Sequence, residues 1–181
     1  MDFKSVFYLI LFLYILEEAF QYLVQYLNLR HMGKAGTKIP PVFEGRVDER
    51  MLERMQAYER DKTLFGFITS LFGNLVVIAF IFAGLLDRYN TWISSLNLSF
   101  IYSGWLFLML LYYTDEILST PFGLHTLFRI ENKYGFNTMT FRLWISDFIK
   151  SLLISTVMLS VVIFAGLSLI QWSPRFWWFW V

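Results

Sequence analysis

The chain has no cysteine among its 181 residues, and it has few charges. Without cysteine it has no disulfide, no thiolate zinc site and no cysteine nucleophile, and the sequence does not indicate a redox compartment. Charged residues make up 16% of the chain, against roughly 25% in typical soluble domains. The formal net charge of +1 gives no reason to expect a nucleic acid as a partner.

A second absence concerns the motif His-Glu-x-x-His, in which two imidazoles one helical turn apart hold zinc and the glutamate activates water. The chain has two histidines, His31 and His125, and neither lies in this motif. A glycine-rich phosphate loop and a Gly-x-Ser-x-Gly nucleophile motif are missing as well. We therefore predict no catalytic residue, no metal ligand and no cofactor in this chain, and we expect both histidines to lie in loops or at a membrane interface.

Apolar side chains, in contrast, make up 57% of the chain, and aromatic residues make up 20%. Four apolar segments are long enough to cross a hydrocarbon core of about 30 Å. They lie at about residues 3–27, 64–86, 100–120 and 148–170. The first imitates a signal peptide, but Glu17 and Glu18 stand where a cleavage site would be, so we interpret it as a retained helix. The pattern predicts an all-α fold, a polytopic membrane helical bundle.

The polar segments between these spans, about residues 28–63 and 121–147, are predicted to be loops that contain amphipathic helices. We expect such helices at residues 47–62 and 121–130, and a brief turn at residues 87–97. The apolar side of the second helix would consist of Phe122, Leu124, Leu127, Phe128 and Ile130.

Three residues near the second loop predict where helices stop and start. Pro121 should end or kink the third span. Gly135 can adopt a positive φ that stops a helix, and Asn137 suits the start of the next one.

Basic residues predict the orientation. The first long loop holds eight Lys and Arg residues, and the second holds four when Lys150 in the interfacial lead-in to the fourth span is counted with it. The N-terminus, the middle turn and the C-terminal end hold one each. By the positive-inside tendency both long loops face the cytoplasm and the N-terminus lies outside. The predicted location is an integral membrane position, in a bacterial inner membrane or in an endoplasmic reticulum-type membrane of a eukaryote.

Four acidic residues fall within the predicted spans: Glu17, Glu18, Asp115 and Glu116. A carboxylate near the middle of a bilayer costs several kcal/mol unless it pairs, protonates or meets water. Either at least one of Glu17 and Glu18 faces a polar interior cavity, or the first helix is short and the pair lies near its interface. We keep all four as intramembrane polar candidates.

The residues 128–137, which we call the motif segment, read FRIENKYGFN. This run resembles the signature Phe-x-Ile-Glu-Glu-Lys-(His/Phe/Tyr)-Gly-Phe-Asn of the N-terminal membrane region of type 1 CAAX prenyl proteases, which are zinc metalloproteases. Residues 28–31, 39–48 and 58–66 resemble a second block of the same family. The chain departs from the signature at Asn132, where the family usually has a second acid.

The resemblance implies that this chain is a single N-terminal transmembrane domain over residues 1–181, in which residues 176–181 begin a fifth helix that is cut off. Such a domain would form part of a chamber wall and the cytoplasmic loops, while zinc and the catalytic part lie C-terminally in the full-length parent. The parent's substrate would be a prenylated protein. The chain alone should be inactive, and its polar interior faces could meet lipid or a second copy of the chain.

Five residues match the signature position by position: Glu131, Lys133, Gly135, Phe136 and Asn137. They would either touch substrate or brace helices. We expect bracing, in which Glu131 pairs with a cation of the first loop such as Arg30 or Lys62, or caps backbone amides there.

Two other function classes stay open. The chain could be a small stand-alone helical membrane protein, acting as a carrier subunit or assembly factor, because intramembrane acids often mark an ion or substrate path. It could also be a lipid-modifying enzyme that uses those carboxylates, although nothing in their spacing favours this.

Overall fold

The computed structural model describes residues 2–35, 48–176 and 178. Within these residues all regular structure is helical, which confirms the predicted all-α class. The elements in chain order are α1 (Phe3–Ala35), α2 (Glu49–Val77), a first π-helical turn (Ile78–Phe82), α3 (Leu85–Ser95), α4 (Phe100–His125), a second π-helical turn (Thr126–Glu131), the short α5 (Asn132–Tyr134) and α6 (Phe141–Trp172).

Three of the described helices are long and apolar enough to cross a membrane: Lys4–Gly33, Arg50–Phe82 and Phe141–Trp172. None of the residues in their most apolar windows is buried inside the chain. Helices that are apolar and exposed in this way need a nonpolar solvent around them, which a bilayer provides. These helices cover nearly all of the first predicted span, the second predicted span as far as Phe82, and all of the fourth. The third predicted span lies in α4, whose tyrosines and two acids lower its hydropathy, and its crossing stays a prediction.

The described ends of the first loop are helical: the helix predicted at residues 47–62 is found, whereas residues 28–35, which we predicted to belong to the polar loop, continue α1. Helix α1 continues to Ala35, and α2 begins at Glu49 with Asp48 as its N-cap. An Asp48 side-chain oxygen accepts a hydrogen bond from the Met51 backbone N–H at 2.6 Å. No proline or glycine interrupts residues 49–65, so the predicted amphipathic helix and the second span form one continuous helix.

The second span ends earlier than predicted, and the predicted turn at residues 87–97 is mostly helix. A π-helical turn ends at Phe82, and Gly84 adopts a left-handed conformation with φ of 77°. Only glycine takes this conformation at little cost, so the chain changes direction there. Helix α3, Leu85–Ser95, then occupies the segment that we predicted to be irregular.

Pro121 does not end its helix, because α4 continues through it to His125 and directly into the second π-helical turn. The Glu116 carbonyl accepts hydrogen bonds from the hydroxyls of Thr120 at 2.6 Å and Ser119 at 3.4 Å. Ser and Thr side chains and π-helical adjustments are among the features that let membrane helices tolerate proline, although the carbonyl that Pro121 leaves without its N–H partner is that of Ile117. The predicted separate helix at residues 121–130 is therefore the C-terminal end of α4 and the turn that follows.

The last long helix starts at Phe141 rather than near Asn137. Its N-cap is Thr140, whose hydroxyl accepts a hydrogen bond from the Leu143 backbone N–H at 3.3 Å. The fourth predicted span lies inside this helix, which ends at Trp172. Most of the apolar stretch at residues 176–181, which we predicted to begin a fifth helix, lies outside the described residues.

The chain forms two compact units. The first consists of Met1–Ala83 and His125–Asn137, and the second consists of Gly84–Leu124 and Thr138–Val181.

In the first unit, α1 and α2 run antiparallel. The Phe7 ring lies 5.1 Å from the Phe82 ring, while Tyr22 stacks on Phe67 at 5.7 Å, so the residue number falls along α2 as it rises along α1. The most buried described apolar residues of this unit, Ile130 and Tyr134, belong to the motif segment.

In the second unit, α4 and α6 run antiparallel and are joined by neutral groups. The Trp105 indole N–H donates to the Ser160 hydroxyl at 2.9 Å, and the hydroxyls of Tyr113 and Thr156 lie 2.8 Å apart. Gly104 lies against the Leu167 side chain, since a Cβ built on Gly104 would come within 2.7 Å of it. Small residues that allow close approach, together with interhelical hydroxyl bonds, are typical of helix packing in membranes.

Candidate functional site

The motif segment ends its helix at Gly135 in a Schellman motif. Gly135 has φ of 72°, its N–H donates to the Asn132 carbonyl at 3.1 Å, and the Phe136 N–H donates to the Glu131 carbonyl at 2.9 Å. This pair of bonds satisfies the last carbonyls of a helix when the next residue is left-handed. The helix stop predicted at Gly135 is confirmed.

Asp61 of α2 joins this helix end to the second helix. One of its carboxylate oxygens accepts from the Lys133 ammonium at 2.6 Å and from the Tyr134 hydroxyl at 2.7 Å. Lys133 is exposed, whereas Tyr134 is only 6% exposed. Because the tyrosine is buried and its hydroxyl is satisfied, the pair of bonds fixes the register of the motif segment on α2.

Two other α2 residues enclose the same helix end. The Arg54 guanidinium donates to the Tyr134 backbone carbonyl and lies over the Phe136 ring at 5.8 Å. The Tyr58 ring meets the rings of Tyr134 and Phe136 edge to face, at 5.5 and 4.9 Å. Offset and edge-to-face pairs are the preferred aromatic geometry. Arg54, Tyr58 and Asp61 therefore hold the end of the motif segment from one face of α2.

The charges of this contact change the acid–base behaviour of its members. The hydrogen bond that Lys133 donates to Asp61 is the main cause that raises the pKa of Lys133 above its usual 10.5. Burial, followed by the hydrogen bond to Asp61, raises the pKa of Tyr134 above 10.0. Lys133 therefore stays cationic and Tyr134 stays neutral at physiological pH.

The predicted pairing of Glu131 with a cation is not found among the described residues. Their ion pairs are Lys133–Asp61 and Lys150–Asp147, and the Lys62 ammonium lies 5.5 Å over the Tyr58 ring. The link between the motif segment and α2 therefore uses Lys133 where we expected Glu131. Phe136 is half-exposed, and Asn137 lies partly buried at the end of the segment.

Glu18, one of the intramembrane acids, lies in a polar cluster between α1 and α2. The Asn74 side-chain amide donates to the Glu18 carboxylate at 2.6 Å and to the Tyr22 hydroxyl at 3.0 Å. The Asn74 side-chain carbonyl accepts from the Tyr14 hydroxyl at 2.8 Å. Tyr14, Glu18 and Tyr22 are four residues apart, so they lie on one face of α1 opposite Asn74. We call these four residues the Asn74 cluster.

The other three predicted acids are placed differently. Glu17 is exposed on α1 and is not part of the Asn74 cluster. Asp115 is exposed on α4, and Glu116 is partly buried there, where its backbone carbonyl serves the local helix bonds described above. Among the described residues no group of three or more His, Asp or Glu side chains could hold a metal ion.

The residues of this chain do not fit a catalytic zinc site. The His125 ring stacks on the Phe65 ring at 4.2 Å with an angle of 21°, and His31 lies exposed on α1. The two histidines belong to no common cluster in the described structure, and the sequence has no others.

Several residues of the site were missed from the sequence: Arg54, Tyr58, Asp61, Tyr134 and Asn74. Asp61 and Tyr58 lie in the second resembling block, and that was the signal for them. Asn74 had a signal as well, because it is the one amide in the long apolar run of the second span. Its partners were marked by the four-residue spacing of Tyr14, Glu18 and Tyr22.

Comparison with known proteins places the chain in a family. The family model of the CAAX prenyl protease N-terminal region, with five membrane helices, matches residues 28–181. CAAX prenyl protease 1 of Saccharomyces cerevisiae is 28% identical over an alignment of length 160, which covers 82% of this chain and 35% of that protein. A probable CAAX prenyl protease 1 of Schizosaccharomyces pombe is 31% identical over an alignment of length 140, which covers 70% of this chain and 29% of that protein.

A solved structure agrees with the fold. The crystal structure of S. mikatae Ste24p matches with a TM-score of 0.80 at 23% identity, over 91% of this chain and 40% of that chain. At this identity the match supports the fold alone. The chain spans about a third of the length of the curated relatives it matches. With the family match over most of its length, the chain belongs to the family of CAAX prenyl protease N-terminal membrane domains.

Proposed function

We propose that this chain serves as the non-catalytic membrane domain of a CAAX prenyl protease-like zinc metalloendopeptidase. In this role its helices form part of the wall of a membrane chamber, and its polar segments form cytoplasmic loops beside a catalytic part that holds zinc. The catalytic part would follow in the same parent protein, and its substrate would be a prenylated protein. The bilayer is the other partner.

The observation that carries this proposal is the fixed contact of the motif segment with α2. Asp61 accepts from both Lys133 and Tyr134, and Arg54 donates to the Tyr134 carbonyl. These hydrogen bonds are directional, unlike a hydrophobic contact, and they hold the helix end in one orientation. A rigid helix end is what a domain needs if it positions a neighbouring catalytic part. Glu131, Phe136 and Asn137 then brace or border that part.

The experiment is a purification from source cells through an affinity tag on this chain, in mild detergent. We expect the material to contain a polypeptide with a His-Glu-x-x-His motif, to hold zinc, and to cleave a farnesylated peptide. The matched control is the isolated chain, which should hold no zinc and show no cleavage. Source-cell material without zinc and without cleavage would contradict the proposal.

We also propose that both long polar segments face the cytoplasm in the membrane that carries the protein. The support is the count of eight and four basic residues. Because the chain has no cysteine, a single introduced cysteine is a unique label site. Lys38→Cys and Lys133→Cys should be labelled from the same side, and Arg88→Cys, as the control, from the other. Labelling of the first two from opposite sides would overturn the orientation.

One observation favours a second candidate, a stand-alone membrane protein that acts as a carrier subunit or assembly factor. The Asn74 cluster places a carboxylate between two membrane helices, and such groups are typical of ion or substrate paths. If the purified source-cell material contains only this chain and Glu18→Gln alters the passage of an ion through liposomes, this candidate replaces the first.

A further inference from the structure

A cavity of about 520 Å³ lies between α1 and α2, beside the second π-helical turn. Its volume falls in the range of small-molecule sites, about 300–1,000 Å³. All its lining residues belong to the first unit. The motif segment contact does not use this cavity, and neither does the Asn74 cluster.

The lining has a charged end and a neutral polar end. Glu59 and Lys62 supply one charge of each sign at the first. The neutral polar end is lined by Gln25, Thr69 and Ser70, which lie within the predicted first and second spans. Glu59 and Lys62, at the charged end, lie just before the second predicted span begins. The cavity therefore crosses the level where hydrocarbon meets the polar interface.

The two charged side chains at the cavity, Glu59 and Lys62, do not form an ion pair with each other. Among the described residues, neither Glu59 nor Lys62 takes part in an ion pair, although they are three residues apart on α2. Both side chains are exposed. A ligand with a cation and an anion close together would meet a partner for each, and two separated opposite charges favour it over an ion of a single sign.

We propose that this cavity binds the headgroup of a zwitterionic phospholipid that carries a primary ammonium, as in phosphatidylethanolamine. The Lys62 ammonium contacts the phosphodiester, and the Glu59 carboxylate accepts from the ligand's ammonium. Amides and hydroxyls deeper in the cavity meet the ester oxygens, and the acyl chains leave along the exposed apolar surface of α1 and α2. The proposal rests on membrane insertion and not on the proposed protease role.

The test uses the full chain in a nonionic detergent, titrated with dihexanoyl-phosphatidylethanolamine and followed by native mass spectrometry. Dihexanoyl-phosphatidylcholine has no N–H on its cation and should bind about tenfold more weakly, as should the anionic phosphatidylglycerol. Equal binding of the three lipids, or tighter binding of phosphatidylglycerol, would overturn the proposal. So would equal binding of free phosphoethanolamine, because the site would then take a soluble zwitterion.

Charge variants assign the two contacts. Glu59→Gln should abolish the preference for phosphatidylethanolamine over phosphatidylcholine. Lys62→Gln should weaken the binding of both lipids about tenfold. The matched controls are Glu53→Gln and Arg60→Gln, which make the same charge changes on the same helix but line a different cavity. Controls that weaken binding as much as the test variants would show a general surface charge effect and refute the site.

A steric variant tests the cavity without touching a charge. Gly66 lines it, and a Cβ built there meets no atom within 4 Å, so a side chain can begin there, and Gly66→Leu is expected to occupy part of the space. Gly73 is seven residues further along α2, has equally open space, and lies outside the lining. Gly66→Leu should remove lipid binding while Gly73→Leu leaves it unchanged. Unchanged binding in a folded Gly66→Leu protein would sink the proposal.

Discussion

The two units of the chain hold their helices together with different chemistry. In the first unit the contacts between helices use ionisable groups: Glu18 with Asn74, and Asp61 with Lys133 and Tyr134. In the second unit they use neutral groups, such as Trp105 with Ser160 and a glycine against a leucine. Neutral hydroxyl bonds and small residues are sufficient to pack membrane helices.

This difference suggests which of the two units has a role beyond holding helices together. An ionisable group within or beside a membrane span is expensive, and it is kept where its charge or its directional bonds are needed. We infer that the helix contacts of the second unit are structural and that those of the first unit serve a neighbouring partner, while Asp115 and Glu116 are acids that the second unit carries within its predicted span. The family signature agrees with this division, because the motif segment from Phe128 to Asn137 lies in the first unit.

The largest effect should come from Gly135, the helix stop of the first unit. Gly135→Val forces a β-branched residue into a left-handed conformation, where its Cβ would lie 2.8 Å from the Arg54 guanidinium. We expect a loss of stability of about 1–3 kcal/mol, measured by thermal unfolding of the purified protein in detergent. Gly135→Asn should cost less, because asparagine tolerates this conformation. Gly123→Val is the control, since a Cβ there meets open space. Equal losses for Gly135→Val and Gly123→Val would contradict the conformational argument.

The next effect should come from the Asn74 cluster. Asn74→Leu keeps a similar volume and removes three interhelical hydrogen bonds, each worth about 0.6 kcal/mol in membrane proteins, so we expect a loss of about 1–2 kcal/mol. Glu18→Gln keeps an acceptor oxygen for the Asn74 amide and should cost much less. If Glu18→Gln destabilises the protein as much as Asn74→Leu, the carboxylate charge itself is essential, and the carrier candidate gains support.

Much of the fold followed from the sequence because apolar runs and Gly135 act locally. The class, three of the spans and the helix stop need only a hydrophobic run or the absence of a Cβ. The errors occurred where local signals compete with context. Pro121 lies inside α4, as membrane helices allow, and a turn signal around Asp87 lies in α3.

The candidate site was less predictable because its contacts join residues far apart in the sequence. Asp61 and Lys133 are 72 positions apart, and Asn74 and Glu18 are 56 apart. The sequence does not show which helices lie side by side, so each charged residue of one loop has several possible partners in the other. Glu131 was the natural choice from the signature, but the ion pair with α2 is made by Lys133.

The Asp61 contact should give a smaller loss that depends on pH. Tyr134→Phe removes one hydrogen bond of a buried hydroxyl to a carboxylate, and we expect a loss of about 1 kcal/mol. Lys133→Gln should cost less than this, because the Lys133–Asp61 pair is exposed to solvent. A larger loss for Lys133→Gln than for Tyr134→Phe would mean that the ion pair, and not the buried tyrosine, holds the segment.

The pH dependence of the same contact has a definite sign. The folded-state pKa of Lys133 lies above 10.5 and that of Tyr134 above 10.0. Their contribution to stability is complete below the unfolded pKa values and is lost as the pH rises through the folded ones. Unfolding measured from about pH 10 upwards should show this decline in the natural protein, and a weaker decline in a Lys133→Gln, Tyr134→Phe double variant. The same decline in both proteins would place the titrating groups elsewhere.

The smallest effects should come from the neutral bonds of the second unit. Ser160→Ala removes the acceptor of the Trp105 indole, and Thr156→Val removes the partner of the Tyr113 hydroxyl, so each should cost about 0.6 kcal/mol. Thr114→Val is the control, because the Thr114 hydroxyl donates to the Leu110 carbonyl of its own helix and joins no second helix. The two losses should add in the double variant if the bonds act independently. Losses in the second unit as large as that of Asn74→Leu would break the distinction between the units. Neutral bonds would then hold helices as strongly as those to a carboxylate, and the ionisable groups of the first unit would no longer point to function.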